Sequence, residues 1–299
     1  MAALRISQAM VLEHDVARHL GLVALSCVAT LTGASAIAGP METAAWVPVI
    51  EWKAGQPFDR SAWTFEEGFL RNEELQYYTG QSPSNFVETA SGLHFIARSE
   101  RVANADHKKS SANWREARTE ARFTSASIVS KQAWDNVKIE IVANIRGGNG
   151  AWPAMWLKAP NTRGFGEIDM MEQIGREPDL VHATVHYGES FSGRTAKTAD
   201  RTITGLQGRD VTYSAVLAPD ALDISIDGTP MIVMDRSRTT PGIRSLHQPF
   251  NLVINLALGG AWSGPVDDDA LPATMIVKSI RIWEWRPAQG IENVTASKD

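Results

Sequence analysis

The chain has 299 residues, 43% of them hydrophobic and 21% charged, which is enough apolar material for one substantial core. Its formal net charge is -5 with both signs spread along the sequence, which excludes a basic face for nucleic acid and a polybasic membrane patch. A neutral or weakly charged partner fits better, and ten tryptophans against four tyrosines leave two readings open: core filler, or flat platforms for sugar rings.

Residues 1–38 read as a signal peptide. Arg18 and His19 precede the apolar run Leu20 to Thr32, and Ala36-Ile37-Ala38 offers a small-residue cleavage site. The run is short for a membrane span, so no membrane insertion is expected after cleavage. The mature protein is expected to be secreted, either extracellular or periplasmic. Initiation at Met10 instead of Met1 fits the same segment. The single cysteine, Cys27, falls inside it, so the mature chain has no thiol for disulfides, nucleophilic catalysis or metal thiolates.

From about Ala45 to Arg286 short β-rich runs alternate with Gly, Pro, Asn and Asp clusters, and no stretch sustains helical periodicity. Residues 45–286 are therefore expected to form a single all-β domain, followed by a polar tail at 287–299. The cleanest strand is Val137 to Ile145, where Val137, Ile139, Ile141, Ala143 and Ile145 share one face. Leu222 to Ile226 and Met231 to Met234 flank Asp227-Gly228, a dipeptide suited to the positive φ of a tight hairpin. Phe250 to Leu258, Met275 to Trp285, Leu93 to Ala97 and Ile128 to Lys131 add further strands. So many strands on one chain imply two packed antiparallel sheets.

The densest chemistry lies in Gly166-Glu-Ile-Asp-Met-Met-Glu-Gln-Ile-Gly175. In an extended chain Glu167 and Asp169 share a face while Ile168 and Met170 point into the core. Strict alternation would put Glu172 on the wrong face, but the doubled Met170-Met171 can absorb one extra residue as a β-bulge and return it. Three crowded carboxyls resist simultaneous ionisation, so one should keep its proton near neutral pH while another stays charged. A retaining glycosidase needs that division, with one carboxylate attacking the anomeric carbon and one carboxylic acid protonating the leaving oxygen.

Five ordered segments carry a resemblance: Asn72-Glu-Glu-Leu-Gln-Tyr-Tyr-Thr79, Gly150-Ala-Trp-Pro-Ala-Met-Trp156, Gly166 to Gly175 with its E-x-D-x-x-E spacing, Ala183-Thr-Val-His-Tyr187, and Asn255-Leu-Ala-Leu-Gly-Gly-Ala-Trp262. Together they are similar to glycoside hydrolase family 16, in its laminarinase-like branch. The resemblance implies a jelly-roll β-sandwich of two antiparallel sheets with a substrate groove along one of them. It also implies Glu167 as nucleophile, Glu172 as acid/base, and Asp169 as the residue steering protonation between them. Trp152 and Trp156 would then line the groove around the cleaved sugar, and Trp262 would stack under a glucose on the non-reducing side. Asn72 and Gln76 would hydrogen-bond sugar hydroxyls, and His186 would contact the leaving-group side near Glu172.

The implied activity is retaining endo-hydrolysis of β-1,3-glucan, with mixed β-1,3/1,4-glucan in range. The implied partner is a polysaccharide, and a monomer is expected. Transglycosylation, action on a galactan, or a silent glucan-binding role are the alternatives; the last normally lacks the acids that are present here. No catalytic metal is expected: His182 and His186 are four residues apart, but in a β-branched run rather than on a zinc-binding helix. His182 reads as a packed strand histidine. Relatives often carry a structural calcium, but Val49-Ile-Glu-Trp-Lys53 and Val277-Lys278-Ser279 stand where its acidic ligands would be, so that site is expected to be weak or missing. A second departure is Ser125-Ala-Ser127, where many relatives have Arg or Gly after the first Ser, so that a substrate contact is expected to be lost.

Overall fold

Strand Val137–Arg146 shows the rule on which the fold is built: Val137, Ile139, Ile141 and Ala143 are buried, while Lys138, Glu140 and Val142 between them are half-buried on the other face. The computed structural model describes residues 45–238 and 240–287; residues 1–38, where a signal peptide is expected and where Cys27 falls, and all of the C-terminal tail but its first residue, lie outside the described residues. Strands run from Ala45 to Arg286, and each α-helix among the described residues is a four-residue turn. No helix among them is long and apolar enough to cross a membrane.

The strands form a jelly-roll sandwich of an eleven-stranded and a seven-stranded sheet. The larger sheet is centred on Val137–Arg146, which pairs with Asp210–Leu217 on one side and Ala273–Arg286 on the other. Its pairing is antiparallel except where Gln76–Thr79 runs parallel to Glu120–Ser125, a departure from the expected purely antiparallel sheets. At the far edge the hairpin of Ala221–Ile226 and Thr229–Asp235 turns at Asp227 and Gly228, with φ of 47° and 70°. Both residues therefore take the left-handed conformation that this dipeptide tolerates.

The smaller sheet positions the site. Its strands lie in the order Thr195–Thr202, Leu180–Gly188, Phe165–Glu172, Ala151–Lys158, Asn251–Leu258, Ser127–Ser130 and Trp63–Phe65. Met155, Leu157, Ile168, Val185, Ile254 and Leu256 on its inner face meet Ile139, Ile141 and Ile145 of the larger sheet in one apolar cluster. Each fully buried side chain of this kind contributes roughly 1.5–3 kcal/mol, so a one-residue slip that turned them outward would cost more than the fold's whole margin. The outer face is thereby fixed as the polar one. The tryptophans divide accordingly: Trp52, Trp63 and Trp134 belong to the core, whereas Trp152, Trp156 and Trp262 line the outer cleft.

The edge where calcium would be expected does not fit such an ion. Glu51 stands opposite Arg281 in the pairing of Ala45–Lys53 with Ala273–Arg286, and the Lys278 carbonyl already accepts a hydrogen bond from the Ala54 amide at 2.8 Å. The Lys278 ammonium and the Arg281 guanidinium, which pairs with Glu140, are poor surroundings for a hard cation.

Candidate active site

The carboxylate strand Phe165–Glu172 sits between Ala151–Lys158 and Leu180–Gly188. On the first side Trp156 pairs with Asp169, but Met155 pairs with Met171 and Ala154 with Glu172, so that Met170 is an extra residue. On the other side Thr184 pairs with Asp169 and His182 with Glu172, again with one residue in excess on the carboxylate strand. This is a β-bulge, and Met170 and Met171 are both fully buried. Unbranched thioether side chains suit that irregular corner of the core. Just beyond the strand the backbone passes so close to the Gly148 carbonyl that a Cβ at Gly175 would collide with it.

The bulge brings Glu167, Asp169 and Glu172 to the wall of one cleft of about 710 Å³ on the outer face of the sheet. Asp169 is 5% exposed, and its carboxyl is held well above the usual range by burial first, then by Glu172 and Glu167. Glu172 is pushed up to about 7, again by burial first; the Trp152 indole N–H, donating at 3.0 Å, pulls the other way, and Glu167 and Glu74 push further up. Glu167 is raised by burial but opposed by three cations, Arg194, Lys158 and Arg71. All three acids are thus raised, but their surroundings differ: at Asp169 the neighbouring acids add to burial, whereas at Glu167 three cations oppose it.

His186 stands opposite Glu167, not Glu172, and its Nε2 is 3.5 Å from Asp169 Oδ2. Burial and the neighbouring Arg194 lower the His186 pKa while burial raises that of Asp169, so both shifts disfavour a charged pair at this contact. The expected placement of His186 near Glu172 is therefore corrected. The histidine across from Glu172 is His182, whose Nδ1 lies 2.8 Å from Asp200 Oδ1 and whose ring packs 5.1 Å from that of Trp262. Atoms of Glu167, Asp169 and His186 lie within 4.8 Å of one another, a spacing that a metal ion could use. The cations beside Glu167 and the proton on Asp169 oppose that use.

Asn72, Trp152, Trp156, His186 and Trp262 all line the cleft, as the resemblance implies. Gln76 does not, and its expected role is corrected: it is 1% exposed, its amide nitrogen donates to Glu74 at 2.7 Å, and its oxygen accepts from the Leu258 amide at 2.7 Å. Both ends are used inside the protein, leaving nothing for a sugar. Gln76 instead closes a buried chain in which Trp156 Nε1 donates to Asn255 at 2.8 Å, Asn255 to the Tyr78 hydroxyl at 3.1 Å, and Tyr78 to Glu74 at 3.5 Å. That chain fixes the indole of Trp156, which is 8% exposed, in the floor.

Several cleft residues escaped the sequence reading. Glu74 and Asn255 lie inside the quoted segments, and Lys158 simply continues the alternation of Trp152 and Trp156. Arg71 carried no periodic signal. Its guanidinium grips Glu66 through both carboxylate oxygens at 2.9 and 2.6 Å and reaches the Ser127 hydroxyl at 3.3 Å. A cation thus arrives from another loop at Ser127, where a lost contact was expected. Arg194 and Phe191 come from the loop after Leu180–Gly188, whose sequence has no pattern to read.

Comparison with known proteins agrees with this geometry. Residues 83–219 match the family model described as XgeA-like, catalytic GH16 domain. A β-glucanase from Rhodothermus marinus is 30% identical over 253 residues, covering 76% of this chain and 80% of its own. The solved laminarinase of Rhodothermus marinus superposes with a TM-score of 0.68 at 29% identity, over 82% of this chain and all of that one. A structure from work on endo-acting O-glycanases of the human gut microbiota that initiate mucin breakdown gives a TM-score of 0.74 at 27% identity, covering 80% of this chain and 91% of its own. The sandwich, the bulged carboxylate strand and these likenesses lead to one assignment: the chain belongs to glycoside hydrolase family 16.

Proposed function

We propose that this glycoside hydrolase cleaves internal β-1,3 linkages of a glucan with retention of configuration. The observation that carries the reading is that one bulged strand brings three carboxyls to the same cleft in unlike surroundings: burial pushes Glu172 up to about 7, while three cations oppose the rise at Glu167. In the first step the Glu167 carboxylate attacks the anomeric carbon, and the bond to the leaving oxygen breaks as Glu172 gives that oxygen its proton. The product is a glycosyl ester on Glu167. In the second step Glu172, now a carboxylate, takes a proton from water as the water attacks the same carbon and releases Glu167. Asp169, protonated between the two, supplies a hydrogen bond to whichever neighbour is charged.

The β-1,3 preference draws its support from the relatives, among which are a glucan endo-1,3-β-glucosidase A1 from Niallia circulans and the laminarinase from Rhodothermus marinus. Trp152, Trp156 and Trp262, beside polar Asn72 and His186, suit a neutral chain of sugar rings. Export through residues 1–38 belongs to the same reading, because such a polymer is met outside the cell.

A reducing-sugar assay across laminarin, lichenan, agarose and carrageenan tests the substrate. Laminarin is expected to be cleaved fastest; cleavage confined to agarose or carrageenan overturns the glucan reading. Proton NMR during the first minutes of laminarin cleavage should show the β-anomer of the new reducing end. An initial α-anomer overturns the double displacement.

A further inference from the structure

The charges on the two sides of the cleft differ. On the Glu172 side the wall is Trp152 and Trp262, packed edge to face with ring centroids 5.0 Å apart. On the Glu167 side it is Lys158, Arg194, Phe165 and Phe191. Lys158 stands directly across from Glu167 in the strand register. The Arg194 guanidinium lies 3.9 Å from the centroid of the Phe191 ring and 5.7 Å from that of Phe165. Phe191 is 62% exposed at the cleft and packs edge to face with Phe165, ring centroids 5.1 Å apart.

Neither Lys158 nor Arg194 has an ion-pair partner within 4.0 Å among the described residues. Arg71, the other cation near Glu167, is already neutralised by Glu66. Burial and Arg194 lower the His186 pKa, and burial beside Glu172 and Glu167 raises that of Asp169; both shifts favour the uncharged forms. With Glu167 ionised, this side therefore carries a surplus of one positive charge; when Glu167 becomes an ester, the surplus is two. A neutral glucan offers nothing to answer it.

We propose that the Glu167 side of the cleft is a subsite for an anionic sugar substituent, a carboxylate or a sulfate, held between Lys158 and Arg194. The substituent's oxygens accept from the guanidinium fork and the ammonium, while the C–H face of the same sugar rests on Phe191. The inference rests on the glucan reading above and narrows it to β-glucans with acidic decoration. Formation of the ester strengthens the hold on such a sugar, because the competing negative charge of Glu167 is removed at that step.

The test uses the mature enzyme and three probes: laminarin, laminarin lightly oxidised to carboxylates at C6, and laminarin lightly sulfated. The modified polymers are expected to show kcat/KM about tenfold above laminarin at low salt, with the advantage shrinking as sodium chloride approaches 0.5 M. The two modified arms tell which anion fits. In K158M and R194M the ratio of modified to neutral kcat/KM is expected to fall towards one. Laminarin cleaved as well as both modified forms overturns this inference alone, and so does a ratio unmoved in either variant. Cleavage of none of the three overturns the glucan reading and this inference with it.

Discussion

Asp169 and Glu172 are three positions apart, yet both turn their carboxyls to the cleft, because Met170 is an extra residue in the pairing on both flanks of their strand. A period of two cannot do this. The placement of these two acids therefore depends on the register of a residue whose own side chain is buried in the core.

Deletion of Met170 should remove the bulge and leave strict alternation, with Glu172 still on the cleft face opposite Ala154 and His182 but with the spacing and packing of the carboxylate strand changed where the extra residue stood. A displacement of the acid by about an ångström lowers turnover by about 10²-fold, and loss of the fully buried Met170 side chain destabilises the fold by roughly 2–5 kcal/mol. M170L keeps the residue count and nearly the volume, and is expected to retain activity within a few-fold. Activity on laminarin and thermal unfolding of both variants check this; an active deletion variant would mean that the bulge is dispensable.

The pH profile follows from Glu172. It must be protonated to donate, so kcat/KM should fall as pH rises through about 7, its value in the free protein. The Trp152 N–H stabilises the charged form and so lowers that value. W152F removes the donor, and the alkaline limb should move upward, by roughly half a unit to one unit. A limb moving downward would assign it to another group.

Much of this was legible in the residues alone, for physical reasons that also mark where legibility stopped. Alternation revealed Val137–Arg146, Asp227-Gly228 announced the hairpin, and the doubled methionine implied the bulge, because each is a local consequence of side-chain period or turn geometry. Gln76 was given to the substrate by the resemblance, and a matching motif does not tell a groove residue from one in a buried hydrogen-bond chain. His186 was placed beside the wrong acid because its partner depends on the register between two strands, and a single sequence does not display register. Arg71 and Arg194 act from loops, where position depends on the whole scaffold.

Gln76 now carries a prediction of its own. Q76A strips partners from the Leu258 amide and from the buried Glu74 carboxylate, which should cost roughly 1–3 kcal/mol in denaturant unfolding. N72A, at the cleft wall, should instead raise KM with little change in stability. Reversal of the two phenotypes would return Gln76 to the substrate.

The raised carboxyls also act on stability. A folded-state pKa above the unfolded one means that the native protein holds more protons between the two, so stability falls as pH rises through that window. For Glu172 the window runs from 4.5 to about 7. E172Q, which cannot ionise, should be more stable than the parent at pH 7, by at most about 3 kcal/mol, with the gain disappearing near pH 4. Melting temperatures of both proteins across this range decide it; a gain that persists unchanged at pH 4 would point to packing instead of charge.

Trp262 joins binding to the proton chemistry. Its four-residue helix Gly260–Ser263 holds the indole against Trp152 at 5.0 Å and His182 at 5.1 Å between ring centroids, and the Trp152 N–H in turn donates to Glu172. Truncation in W262A removes a platform for a sugar ring and frees Trp152 to move. Two effects should therefore appear together: KM for laminarin up by about tenfold, and the alkaline limb of kcat/KM shifted upward as the Trp152 donor loosens. W262F, with a smaller ring still against Trp152, should restore the limb more fully than it restores KM. Because the indole is only half-buried, unfolding should change little. A variant that simply unfolds would make Trp262 a core residue, and a raised KM with an unmoved limb would break its link to Glu172.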